Sequence, residues 1–215
     1  MSRDFEFKQL LRAYRQGIIS EATFDEEMAQ LERGGTGQSS NGGGVSGGFQ
    51  AFGRTYKSER DAIVSFLDKV RAGEANGGEA FARWAAVCKT DCIRSGLRMV
   101  AERESYHARV FEQRVLELGG EKRAATGDDG RKFADFLANP EVSDIEKLQR
   151  FGSRIGDSKE AVKPIHEFAA LIKEDIETKE ALRLFAEDEL SSTTWLLDAC
   201  AALSATKAAE TKAQA

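Results

Sequence analysis

Proline is almost missing from this chain of 215 residues: there are two, Pro140 and Pro164, both in the second half. Runs of Val, Ile and Thr of strand length are lacking as well, while Ala, Leu, Glu, Lys and Arg dominate. Together these predict an all-α protein. No apolar run approaches the length of a membrane span, and the opening Met1-Ser-Arg-Asp-Phe-Glu-Phe-Lys8 is too polar for a secretory signal. A cytoplasmic protein that does not engage a membrane is expected. Cysteine is confined to Cys88, Cys92 and Cys200. Three thiols cannot build a disulfide framework, which fits a reducing compartment. Cys88 and Cys92 lack a second Cys or His pair, so they read as small buried hydrophobes and not as a zinc site. A basic stripe is absent too. The 31 Lys and Arg are interspersed with 36 Asp and Glu for a net charge of −5, which excludes a nucleic-acid binder.

What is present divides the chain. Residues 34–53 run Gly34-Gly-Thr-Gly-Gln-Ser-Ser-Asn-Gly-Gly-Gly-Val-Ser-Gly-Gly48 and then Phe49 to Gly53, a composition expected to stay flexible. Before it, residues 1–33 read as two small helices. Phe5, Leu10, Leu11 and Tyr14 give one face, Gly17 breaks it, and Ser20 caps a second helix with Phe24, Met28 and Leu31 inward. The pattern resembles the SHOCT type of short helical module. That resemblance implies a docking or oligomerisation element, engaging a second copy or another protein. The main domain spans residues 54–204, and residues 205–215 form a low-complexity tail expected to fray. Within the domain, helical periodicity predicts helices over about 57–88, 91–118, 158–173 and 177–204. A bend is expected at Gly77-Gly78. The connection over 121–156 should hold two short helices.

Two stretches 85 residues apart read almost alike: Gly96-Leu-Arg-Met-Val-Ala-Glu-Arg-Glu104 and Ala181-Leu-Arg-Leu-Phe-Ala-Glu-Asp-Glu189. Each ends in a Glu on an otherwise apolar helical stripe. The first stripe is Ile93, Leu97, Val100, Glu104, His107, Phe111 and Val115, giving Glu104-Ser-Tyr-His107. The second is Leu182, Phe185, Glu189, Ser192 and Leu196, with Ser192 where a second histidine would stand. In the helix before the first copy, Glu74 interrupts Ile63, Leu67, Val70, Phe81 and Trp84. Glu74 lies 15 residues before Lys89 and Glu104 lies 15 after it, so a turn at Lys89 sets both at one height of an antiparallel pair. Carboxylates meeting in a core repel one another and stay ionised together only around a cation.

A helix with a Glu, then Glu-x-x-His, then the hairpin repeated, resembles the ferritin-like superfamily and, within it, rubrerythrin-type proteins. The resemblance covers about residues 57–204 and implies an antiparallel four-helix bundle built from a duplicated helical hairpin. It also implies one or two ions of iron or manganese and oxygen- or peroxide-linked redox chemistry. The metal ligands it implies are Glu74, Glu104, His107 and Glu189. On the third long helix, the position 85 residues after Glu74 is Lys159, so the neighbouring Glu160 is the candidate. No four-cysteine electron-transfer module is present, and any reductant must come from outside. The competing expectation is a non-catalytic scaffold or assembly protein with a degenerate metal site.

Overall fold

The computed structural model describes residues 48–213 and, before them, Phe24 and Met28, both helical. The remainder of the N-terminal module and residues 34–47 lie outside the described residues. Among those described, the protein is mostly helical, with six helices and one small hairpin. The helices are α1 (Glu59–Val87), α2 (Asp91–Glu117), α3 (Asp128–Ala138), α4 (Asp144–Ile155), α5 (Ser158–Leu171) and α6 (Ile176–Ala213).

Local chemistry sets the ends of these helices. Ser58 caps α1 by accepting the Asp61 N–H at 3.1 Å. Ser143 and Glu146 form a reciprocal capping box at α4. Helix α2 stops at Gly119, whose φ of 66° lets Gly119 N–H reach Leu116 O and Gly120 N–H reach Val115 O, both at 2.8 Å. Helix α6 does not stop at about 204. It continues to Ala213, and residues 205–211 are exposed.

α1 and α2 form an antiparallel pair, α5 and α6 form a second, and α2 lies along α6. α3 packs on α1, and α4 packs on α6. Three carboxylates, Asp68 and Asp144 buried and Glu59 half-buried, pin the connections. Asp144 accepts the N–H groups of Lys89 and Thr90 in the α1–α2 turn and the Trp84 indole. Asp68 accepts those of Arg123 and Ala124 after α2. Glu59 accepts those of Lys173, Glu174 and Asp175 between α5 and α6. In each case burial pushes the carboxyl pKa up, but the hydrogen bonds outweigh it and leave the pKa lowered.

Residues 49–56 depart from the flexible linker and all-helical start that the sequence predicts. Phe49–Ala51 (β1) pairs antiparallel with Arg54–Tyr56 (β2), Phe49 opposite Tyr56. The two-residue turn has φ of 52° at Phe52 and 72° at Gly53, the left-handed conformations that a tight hairpin requires. Phe52 offsets its unfavourable backbone by stacking on Phe66 of α1 and packing at a tilt against Phe168 of α5, at 5.2 and 4.9 Å between centroids. Glycine content alone concealed these anchoring aromatics.

The core is in two parts. One gathers Phe81, Trp84, Leu97, Leu137, Leu148 and Leu196. The other gathers Ile63, Leu67, Phe111, Phe168, Leu182 and Phe185. On α1, α2 and α6 the residues between the two parts are the polar ones: Glu74, then Glu104 and His107, then Glu189 and Ser192. A polar layer crosses the middle of the molecule.

Candidate metal centre

The periodicity of each helix turns its polar interruption inward, and the antiparallel pairing brings the three together. His107 Nδ1 lies 3.2 Å from Glu74 Oε2 and 3.8 Å from Glu189 Oε1. Potential ligand atoms of Glu74, His107 and Glu189 all fall within 4.8 Å of one another. Glu74 and His107 are buried, and Glu189 is half-buried. Its Oε1 is buried without a hydrogen-bond partner among the described residues. Glu104 joins the group by a side-chain hydrogen bond to Glu74.

Gly77 and Gly78 do not interrupt α1, which remains helical through both. Their role is clearance. A Cβ on Gly77 would strike the Glu104 carboxylate, and one on Gly78 would strike the Ser105 hydroxyl and come within 3.1 Å of its backbone nitrogen. The glycine pair lets α2 approach closely enough to place Glu104 beside Glu74.

The other imidazole nitrogen is held as well. His107 Nε2 lies 3.1 Å from Asp188 Oδ2. A proton on Nε2, donated to Asp188, leaves the Nδ1 lone pair facing Glu74 and Glu189. In this tautomer the histidine is prepared as a ligand. Phe185 meets the ring edge-on, with centroids 4.9 Å apart, and fixes its plane.

Burial raises the carboxyl pKa values of Glu74 and Glu104 well above the usual range, and neighbouring carboxylates add to the effect. Glu189 is pushed up to about 7, chiefly by burial, with His107 pulling the other way. Such groups hold protons unless positive charge arrives. Glu74, His107 and Glu189, with Glu104 close by, offer oxygen and nitrogen atoms that could together hold a cation.

Glu160 does not take part. It sits exposed in the first turn of α5, where its N–H is bonded to the Asp157 cap at 2.9 Å. The face that α5 turns to the site is apolar, with Ala161, Val162 and Ile165 beside a cavity of about 840 Å³ that Glu74, Glu104 and Glu189 also line. The first turn of a helix lies at its edge, and a spacing count cannot correct for that. His166 is exposed on the same helix.

Asp188 and Arg103 are the participants that sequence reasoning missed. Each immediately precedes the repeated Glu of its own copy, and each reaches across to the i+3 position of the other copy. Asp188 contacts His107, while Arg103 Nη1 donates to Ser192 Oγ at 3.2 Å. The repeat itself carried the signal, as an Asp in one copy against an Arg in the other. The copy with His107 is met by an anion, and the copy with Ser192 is met by a cation. No family model, curated protein or solved structure matches this chain.

Proposed function

We propose that this chain is a ferritin-like metal-binding protein. It holds one ion of iron or manganese through Glu74, His107 and Glu189, with Glu104 adjacent. One observation carries the reading: the Nδ1 face of His107 meets two carboxylates while Asp188 fixes Nε2. The partnerless Oε1 of Glu189 supports it, since a buried carboxylate oxygen costs free energy until a cation or donor satisfies it. When bound, such an ion supplies redox chemistry with oxygen or peroxide. The chain's own part is to orient the ligands, to take up and release protons at the Glu74–Glu104 pair, and to wall the site with apolar side chains of α5.

The Arg103 strut favours a single ion over a pair, because a guanidinium occupies the side where a second histidine would bind. It also favours a second reading, a scaffold without redox chemistry, in which protons and Arg103 neutralise the carboxylates. Metal content separates the two. After anaerobic loading with Fe(II) or Mn(II) and gel filtration, the wild type should retain about one ion per chain, and His107→Ala should retain far less. Near-zero occupancy in both would overturn the metal reading and leave the scaffold.

A further inference from the structure

Arg154, near the C-terminal end of α4, differs from the arginines that hold the fold. Arg71, Arg94 and Arg114 each carry a carboxylate within 3.0 Å. Arg154 is half-buried, stacks on Phe133 with its guanidinium carbon 4.4 Å from the ring centroid, and has no ion pair among the described residues. It lines the same cavity as Glu74, Glu104 and Glu189. Burying this guanidinium costs free energy, Arg150 adds repulsion, and the attraction of Asp129 offsets them only in part. Stacking on one face leaves its fork of N–H donors free in the plane.

The walls between these ends are apolar. Phe81, Leu137 and Phe151 line the cavity with Arg154, and the Phe81 and Phe151 centroids are 5.7 Å apart. Phe81 stands two turns along α1 from Glu74, about 10 Å of axial rise. At about 840 Å³ the cavity far exceeds what one ion and its waters fill and matches pockets that hold small organic molecules.

We infer that this cavity binds an amphipathic organic carboxylate, its head group paired with Arg154 and its chain lying along Phe81, Leu137 and Phe151 towards Glu104 and Glu189. A single guanidinium balances the one charge of a carboxylate and matches its two oxygens. A phosphate brings more negative charge towards three glutamates. The placement beside metal ligands rests on the metal-binding reading; the pairing with Arg154 does not.

Titration calorimetry of the full chain with decanoate tests this, with decanol and decyl phosphate as parallel arms. Saturable decanoate binding is expected, weakened about tenfold or more in Arg154→Gln. Ala161→Phe, which fills the cavity wall, should weaken it as well, and circular dichroism of both variants should match the wild type. Decanol and decyl phosphate should bind less tightly than decanoate. All titrations use metal-free protein, so a failure of iron loading and a failure of this inference read out separately. Absence of saturable binding to the wild type, equal binding to Arg154→Gln, or tighter binding of decanol or decyl phosphate would overturn it.

Discussion

A methyl group at Gly73 would meet nothing within 4 Å, whereas one at Gly77, a turn further along α1, would run into the Glu104 carboxylate. Glycine inside a helix costs stability through its backbone freedom, so the two positions should respond in opposite directions. Gly73→Ala is expected to stabilise the protein by about 0.5–1 kcal/mol. Gly77→Ala should destabilise it by about 1–3 kcal/mol and also lower metal retention, because Glu104 must move. Urea denaturation of both variants, with metal analysis, checks this. Equal stabilisation in the two would show that Glu104 has room elsewhere.

Between elements, the contact of α2 with α6 would, on the metal-binding proposal, decide how many ions the layer accepts. Asp188 of α6 serves His107 of α2, and Arg103 of α2 serves Ser192 of α6. Restoring a histidine alone therefore places an imidazole against a guanidinium, where nothing aims it as a ligand. Ser192→His is expected to leave Mn(II) occupancy at the wild-type level and to lower the melting temperature. Ser192→His combined with Arg103→Asp supplies both the ligand and the carboxylate that orients it, and occupancy should rise. A rise in the single variant equal to that in the double would refute a closing role for Arg103.

Across the whole molecule, two families of carboxylates oppose one another in their response to pH. Asp68, Asp144, Asp175 and Glu59 have lowered pKa values, so the stability they contribute is present above their usual range and is lost as pH falls through the folded values. Glu189 is shifted from 4.5 to about 7, and Glu74 and Glu104 are also raised. Between about pH 4.5 and 7 the folded chain keeps protons that the unfolded chain has released, so stability from this layer falls as pH rises. Metal-free protein should accordingly melt highest on the acid side of this window. On the metal-binding proposal an ion would replace those protons, and the gain in melting temperature on adding Mn(II) should grow from pH 5 to pH 7. Thermal scans across that range, with and without Mn(II), provide the check. A metal-free melting temperature that climbs steadily from pH 5 to pH 7 would show that the layer does not hold protons as described.

The sequence by itself determined the helices and the faces they bury, because a helix repeats every 3.6 residues and records its inward stripe directly in the spacing of apolar positions. Ile63 to Trp84 and Ile93 to Val115 are buried as that spacing requires. It also determined that Glu74, Glu104, His107 and Glu189 sit at mid-height, since a fixed rise per residue converts residue counts into heights. The tertiary structure alone decided the rest. The rotation of α5 depends on how its whole surface packs, and that rotation turned Glu160 outward and an apolar wall inward. The struts from Asp188 and Arg103 depend on which helices become neighbours, and one-dimensional spacing does not encode that. The hairpin at 49–56 follows from three aromatic rings that meet only once α1 and α5 are in place. The cavity that joins Arg154 to the carboxylates is the space that those packed helices leave between them.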